Sequence, residues 1–506
     1  MYRSGIFSII QRPENIRIQA INISMEITNL ILNNVPSPEI KNNFNKLSND
    51  KKVYIETYGC QMNFSDTEIV LSVLSNKGYN ETSDINESDV ILLNTCSIRE
   101  NAENRIYSRL GDLIKYKKKN PELVIGILGC MAERLRDDLL KKKKIVDIIV
   151  GPDEYRKVPE LIENSIEKNE KGIAVKLSRT ETYDDITPLR REGITAWLSI
   201  MRGCDKFCSF CIVPFTRGRE RSRNLNNIVD ETKRLYNEGV KDIWLLGQNV
   251  NSYKHEDKDF ADLLRSVAVA VPEMRVRYTT SHPYDLSDKL LDTMAEFDNI
   301  CKYIHLPIQS GSDRVLKNMN RLYSVKEYMN VMLKAREMMP GIGLSTDIIS
   351  CFPGETEDEH QMTMDVIRQI EYDSAFTFVY SPRENTKAYE LKDKLDEETK
   401  KKRLDEIITL QREISYKINS SLKGKIMEVL VESLSKKSNE EYMGRTDCNK
   451  SVIIPRNYNA VNDSGTLIND GAINSGDLIN VEITGANSAT LFGNPVYTLK
   501  NSNSKN

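Results

Sequence analysis

Nine cysteines occur in 506 residues, and three of them, Cys204, Cys208 and Cys211, fall in the single stretch G-C-D-K-F-C-S-F-C. Gaps of three and then two residues put three thiolates on one tight loop. Such a loop can hold three irons of a cubane cluster and leave the fourth open to a ligand. A closed zinc site needs a fourth Cys or His. The chain has 4 histidines, and the nearest, His255, is far along the sequence, so a structural zinc would have to borrow a distant residue. Three more cysteines, Cys60, Cys96 and Cys130, each close an apolar run: V-Y-I-E-T-Y-G-C, D-V-I-L-L-N-T-C and L-V-I-G-I-L-G-C. A lone Gly-Cys at a strand end is ordinarily a small buried residue. Three at equivalent ends, about one strand–helix unit apart, point to a second metal centre. Cys301, Cys351 and Cys448 have no partner spacing and read as buried thiols.

Basic residues suggest a polyanion. Arg217, Arg219, Arg221 and Arg223 alternate in R-G-R-E-R-S-R, and bidentate phosphate contact is one reading. The other is a solvated charged face. Arg445 and Lys450 lie in G-R-T-D-C-N-K, a turn that suits single-stranded nucleic acid. G-Q-N, with Gln248 and Asn249, and F-P-G-E, with Gly354 and Glu355, end two further apolar runs and suit a nucleoside-like ligand. Ordinary turn chemistry explains them equally well.

The elements that must position these groups follow from periodicity. Strand-like runs at 53–60, 89–96, 123–130 and 146–151 alternate with helical patterns, which predicts a parallel α/β sheet over 51–167. Ligands bind beyond the carboxyl ends of such strands, where Cys60, Cys96 and Cys130 lie. Residues 168–189 are polar and read as a linker. Six more strand candidates, at 196–203, 242–249, 275–283, 303–311, 344–355 and 375–383, predict a partial (β/α)6 barrel over 190–420. The three-cysteine loop follows the first of them and so belongs at the barrel mouth. From 423 to 497, short strands between Gly, Asn and Ser turns predict a small all-β, OB-like barrel. Residues 1–50 are expected to be a poorly ordered extension and 498–506 a disordered tail.

Hydrophobic residues make up 39% and charged residues 29% of the chain, as in soluble globular proteins. The net charge is −3, so a polyanion would have to be held by local basic patches. No apolar run is long enough to span a bilayer and no secretory signal is evident. A reducing cytoplasm is expected, where clustered thiols bind metals rather than form disulfides.

Taken in order, T-Y-G-C-Q-M-N, N-T-C-S-I-R-E-N-A-E, G-C-M-A-E-R, C-D-K-F-C-S-F-C, I-V-P-F-T-R-G-R-E-R-S-R, L-G-Q-N-V-N-S-Y, T-S-H-P, H-L-P-I-Q-S-G-S-D and F-P-G-E-T resemble the methylthiotransferases of the radical S-adenosylmethionine superfamily. The resemblance runs from about residue 51 to residue 496. It implies that Cys204, Cys208 and Cys211 hold one [4Fe–4S] cluster, whose open iron binds S-adenosylmethionine. It implies that Cys60, Cys96 and Cys130 hold an auxiliary [4Fe–4S] cluster presenting sulfur. One S-adenosylmethionine would yield a 5′-deoxyadenosyl radical that takes hydrogen from C2 of an adenine, and another would methylate the sulfur. Phe210, Gln248, Asn249, Gly354 and Glu355 would line the cofactor. The four arginines of 217–223 with Arg445 and Lys450 would contact RNA, and the terminal barrel is similar to a TRAM domain.

G-C-Q-M-N and L-G-Q-N-V-N-S-Y favour the branch acting on N6-isopentenyladenosine-37 in the tRNA anticodon loop. A sister branch acting on N6-threonylcarbamoyladenosine-37 is the alternative, and a structural-metal RNA-binding protein is another. Implied partners are a flavodoxin or ferredoxin electron donor and a sulfur or cluster donor, with the chain a monomer. Three departures from the family pattern stand out: Cys351 where Gly is usual, Phe210 where Tyr is usual, and the pair Glu384-Asn385 where Pro-Gly is usual. A turn with positive φ would tolerate Asn385.

Overall fold

The computed structural model describes residues 51–97, 100–191, 193–392, 395–456 and 473–496. The expected extension at 1–50 and tail at 498–506 lie outside those residues.

The first domain is a parallel sheet of β1 (Lys52–Thr57), β2 (Asn80–Glu81), β3 (Val90–Thr95), β4 (Val124–Gly129), β5 (Ile148–Val150) and β6 (Gly172–Ala174), in the order β2-β1-β3-β4-β5-β6. V-I-L-L-N-T and V-I-G-I-L-G are buried along their whole length, because helices cover both faces. Helices α1 (Gln61–Ser75) and α4 (Val158–Lys168) pack Ile69, Leu74 and Ile162 against Val53, Leu92 and Ile148. On the other face α2 (Glu100–Lys119) and α3 (Cys130–Lys142) pack Ile106, Leu110 and Met131 against Ile91, Ile125 and Ile127.

The segment expected as a linker, 168–189, departs from that reading. Its G-I-A stretch is the edge strand β6, paired with β5, and Tyr183 is buried against Tyr155, with ring centroids 5.8 Å apart. A three-residue edge strand is too short to show a period, and Tyr183 alone carries no pattern.

The central domain contains β7 (Thr195–Ser199), the short antiparallel pair β8 (Met201–Arg202) and β9 (Arg221–Ser222), and β10 (Asp242–Leu246). A hairpin, β11 (Lys254–His255) with β12 (Lys258–Asp259), precedes β13 (Arg275–Tyr278), β14 (Tyr303–His305), β15 (Gly343–Ser350) and β16 (Ser374–Val379). Strands β7, β10 and β13 form one parallel sheet and β14, β15 and β16 another. A parallel bridge between Val276 and Ile300 joins them, which makes the six-stranded partial barrel. Its core includes Leu198, Ile243, Val276, Ile304 and Leu344 beneath the outer helices. The first domain docks on the β7 side, where Met62 of α1 packs with Trp197, Trp244 and Leu246.

The C-terminal domain is a closed five-stranded barrel of β17 (Ile426–Ser435), β18 (Ser438–Thr446), β19 (Ser451–Pro455), β20 (Leu478–Ala486) and β21 (Thr490–Pro495). Val429, Val431, Val452, Ile454, Val481 and Leu491 fill it. Its β18–β19 turn plugs the N-terminal end of the central barrel. Arg275, first residue of β13, donates to the Arg445 carbonyl at 2.6 Å. Arg277 donates to the carbonyls of Thr446 and Asp447 at 2.8 and 3.0 Å. A Cβ at Gly343 would lie 2.3 Å from the Cys448 carbonyl oxygen, so the turn sits against bare backbone. Among the described residues no helix is long and apolar enough to cross a membrane.

Candidate active site at the barrel mouth

Chain geometry makes the three-cysteine loop after β8 possible. Gly203 has φ 80°, and a Cβ there would fall 1.9 Å from the Arg219 carbonyl oxygen. No L side chain fits that entry. The Cys204 amide donates to the Gly218 carbonyl at 3.1 Å and the Cys211 amide to the Cys208 carbonyl at 3.0 Å. Ser209 ties the loop to the segment after the Asp313–Asn318 helix: its amide donates to the Met319 carbonyl and its hydroxyl to the Asn318 carbonyl. Arg321 donates to Cys208 Sγ at 3.3 Å. Burial pushes the Cys204 thiol up to about 12, and burial with the neighbouring Cys208 does the same for Cys211. Without metal these are thiols near neutral pH, and metal uptake would release their protons.

The other cysteines converge from three strand ends. Cys60 caps α1 after β1, Cys96 follows β3, and Cys130 opens α3 after β4. Gly59, with φ 116°, lets two of those ends meet, since a Cβ there would be 2.6 Å from Cys96 Cβ. Cys60 and Cys130 are close enough to influence one another electrostatically. The two sets are connected. Helix α5 (Val213–Arg217) begins two residues after Cys211, and its last residue, Arg217, donates from Nε to Cys130 Sγ at 3.2 Å. Both sets consist of three thiols, a donor set that fits an iron–sulfur cluster with one iron left open.

The mouth is polar and strained. Thr280, Gln309, Cys351 and Asn385 follow the ends of β13, β14, β15 and β16 with φ of 69°, 71°, 61° and 71°. Left-handed backbone at non-Gly residues clusters where function requires it. Asn385 thus occupies the positive-φ turn expected of it, and Cys351 holds a left-handed position that favours Gly.

Residues 52–151 match the uncharacterized protein family UPF0004, residues 198–367 the Radical SAM superfamily and residues 420–496 the TRAM domain. The tRNA-2-methylthio-N(6)-dimethylallyladenosine synthase of Chloroherpeton thalassium is 49% identical over 446 residues, 88% of this chain and 96% of that protein. The protein of the same name from Phocaeicola vulgatus is 48% identical over 458 residues, 89% of this chain and 97% of its own length. The chain belongs to the tRNA-2-methylthio-N(6)-dimethylallyladenosine synthase family. The radical S-adenosylmethionine methyltransferase TsrM from Kitasatospora setae, solved with cobalamin and a [4Fe–4S] cluster, shares the fold at 13% identity. Its TM-score is 0.53, over 67% of this chain and 77% of that one.

Within this member of the synthase family, the residues expected to line the cofactor are held by neighbouring groups of the mouth. Gln248 accepts from the Gly203 amide at 2.5 Å and so fixes the loop entry. Asn249 donates to Asp285 at 2.7 Å, and Glu355 accepts from the Cys351 amide at 2.6 Å inside the strained turn. Burial pushes the Glu355 carboxyl up to about 7. Gly354 has φ 84° and is exposed, while Phe210 packs with Val315, Met319, Phe352 and Tyr380. Residues missed in the sequence stand beside them. Ser281 Oγ, His282 Nε2 and Gln309 Oε1 are buried without a hydrogen-bond partner, as is Oδ1 of the expected residue Asn249. His282 Nδ1 accepts from the Tyr284 amide, so Nε2 carries the proton. Burial, with Arg321 and Lys206 adding, pulls the His282 pKa down to about 2. Unsatisfied buried polar atoms at a strand-end mouth are what a polar ligand would pair with. The signal available in the sequence was a polar run directly after a strand, in T-S-H-P and P-I-Q-S-G.

The basic residues fall elsewhere than expected in this family member. Arg217, Arg221 and Arg223 are buried rather than arrayed on a surface. Arg221 pairs with Asp153 at 2.9 Å, and Arg223 with Asp184 and Glu231 at 2.6 and 2.7 Å. Only Arg219 of the four is exposed; it pairs with Asp205 at 2.6 Å and lies over the Phe207 ring. Arg445 pairs with Glu432 at 2.7 Å, and Lys450 bonds Asp373 and Asn419 against the barrel floor. Five of the six expected RNA-contacting residues are therefore engaged internally, because folding brings distant carboxylates to them.

Proposed function

We propose that this chain inserts sulfur and a methyl group at C2 of N6-isopentenyladenosine-37 in tRNA, giving the 2-methylthio nucleoside. The observation that carries the reading is the pair of three-thiol sites joined by Arg217, in a chain nearly half identical to synthases of that name. Cys204, Cys208 and Cys211 would hold a [4Fe–4S] cluster that binds S-adenosylmethionine, and Cys60, Cys96 and Cys130 an auxiliary one. When bound, these groups supply a radical able to take an unactivated C2–H, and the sulfur and methyl group that replace it.

The chain's own residues position and enclose. Gln248 and Gly203 fix the first thiol loop, and Arg321 orients Cys208. Ser281, His282 and Gln309 offer polar atoms to a nucleoside or to the cofactor at the mouth. His282 stays neutral there and offers its Nε2–H as a donor. The plugged floor supports substrate entry from the mouth, where an anticodon loop can splay out a base. A flavodoxin or ferredoxin would supply electrons, a sulfur or cluster donor would renew the auxiliary site, and a cytoplasmic monomer would suffice.

Mass spectrometry of tRNA nucleosides from a deletion strain tests the substrate. Loss of the methylthio-isopentenyl nucleoside, restored by the gene, is expected. Loss of a threonylcarbamoyl-derived mark instead would assign the chain to the sister activity. Anaerobically purified protein should contain about eight irons per chain, as two cubane clusters require.

A further inference from the structure

We infer that Arg217 is a positioning residue for the auxiliary site, contributed by the radical domain, which charges and hydrogen-bonds the sulfur there. The inference rests on the two-cluster reading proposed above. Arg217 is 3% exposed and held as a fork: Nη2 donates to Asn63 Oδ1 and Asp66 Oδ2, both at 2.8 Å, and Nε to Cys130 Sγ at 3.2 Å. Its Nη1 is buried with no partner. The fork is thus aimed at sulfur with one donor in hand.

Charge counting points the same way. Asp66 bonds Arg202 through its other oxygen at 2.8 Å, and Asp153 bonds Arg221 at 2.9 Å, with Arg202 at 3.8 Å. Three buried guanidiniums therefore pair with two buried carboxylates, and Glu133, the next buried carboxyl beside Asp153, pairs instead with Arg136. Although burial opposes it, Arg202 and Arg217 hold the Asp66 carboxyl below the usual range, so it is an anion. Arg202 Nη1 is also buried without a partner. A buried cation in excess is costly unless an anion joins it. A thiolate-ligated iron–sulfur cluster held by Cys130 would supply that anion, and Arg217 Nη1 would have a donor to offer it.

Hydrogen bonds and positive charge at cluster sulfurs raise the reduction potential. The test uses full-length protein with Cys204, Cys208 and Cys211 changed to Ala, reconstituted anaerobically so that only the auxiliary site carries iron. An electron paramagnetic resonance redox titration then reads that site alone. Arg217→Gln should shift the midpoint to more negative potential, and Arg217→Lys, which keeps charge but loses the planar fork, by less. Arg219→Gln, on the same run but exposed, should leave it in place. Unchanged midpoints in both Arg217 variants at full iron and sulfide content would overturn the inference. If Arg217→Gln takes up no cluster, Arg217→Lys decides: a lowered midpoint supports the role and an unchanged one overturns it. Absence of iron in the three-alanine parent would instead overturn the two-cluster reading before any Arg217 variant is compared.

Discussion

The two ends of the central barrel are built on opposite terms. At the C-terminal ends of the strands, Asn249, Ser281, His282 and Gln309 bury polar atoms without partners, and Thr280, Gln309 and Cys351 hold left-handed backbone. At the N-terminal ends, Arg277 pairs with Asp242 at 3.0 Å and donates to two carbonyls of the terminal barrel. Lys450 reaches Asp373, Arg275 reaches the carbonyls of Arg445 and Glu428, and Gly343 admits the turn. One end is closed by ion pairs and carbonyl contacts, and the other gathers unpartnered polar atoms at the strand ends; left-handed residues occur at both, with Glu371 and Asn449 at the floor at φ 50° and 68°. In a parallel barrel that contrast separates stability from chemistry. The sequence's basic turn at 445–450 is part of that closed floor.

The largest effects should come from breaking the mouth. Cys208→Ala removes a thiol from the first loop and should reduce S-adenosylmethionine cleavage below detection, read as 5′-deoxyadenosine by chromatography. Cys96→Ala lies across the domain boundary and should leave cleavage intact while methylthio nucleoside formation stops. Equal loss of cleavage in both would contradict the division of labour between the sites.

Breaking the floor should cost stability and spare that chemistry. Arg277→Ala leaves Asp242 buried and uncompensated and removes two bonds to the terminal barrel. Such a break costs about 3–5 kcal/mol. Denaturant titration should show that loss while folded protein at low temperature still cleaves S-adenosylmethionine. A stable variant with dead chemistry would reverse the assignment of the two ends.

Much of this was legible in sequence, for definite reasons. Cys204, Cys208 and Cys211 are neighbours in the chain, so their spacing states their geometry. Cys60, Cys96 and Cys130 are distant, yet each follows a strand of one sheet, half-buried before Cys60 and fully buried before Cys96 and Cys130, and parallel topology aligns strand ends. Asn385 was readable because φ near 71° is a local property of a turn. The arginines were not readable. Alternation in R-G-R-E-R-S-R says that residues share a side, but not that Asp66, Asp153, Asp184 and Glu231 wait there. Likewise β6 in G-I-A is shorter than any period that could announce it.

His282 makes the mouth sensitive to acid, against an opposite contribution from Glu355, whose carboxyl is pushed up to about 7. His282 is pulled down to about 2 in the fold, mainly by burial. In the unfolded chain it titrates near 6.5, so below that pH the unfolded state binds the extra proton. Stability is therefore full above about pH 6.5 and falls as pH drops, by at most about 1.4 kcal/mol per unit from this group. His282→Asn should flatten the slope between about pH 4 and 6 in denaturant midpoints. An unchanged slope would mean that His282 is already protonated in the native mouth.

The smallest effect separates strain from packing at Cys351. Its φ of 61° costs an L residue about 1–2 kcal/mol, which Gly does not bear. Against that relief, Cys351→Gly loses a fully buried thiol and gains about 0.5–1 kcal/mol of chain entropy in the unfolded state. The terms nearly cancel, so the expected change is within about 1 kcal/mol. Cys351→Val keeps the burial but places a β-branched residue where such φ is an outlier, and it should lose clearly more. Both variants retain the amide from which Glu355 accepts at 2.6 Å, so their ranking weighs backbone strain against buried volume. Thermal melts that rank Val equal to Gly would show that packing, not the left-handed turn, fixes this corner of the mouth.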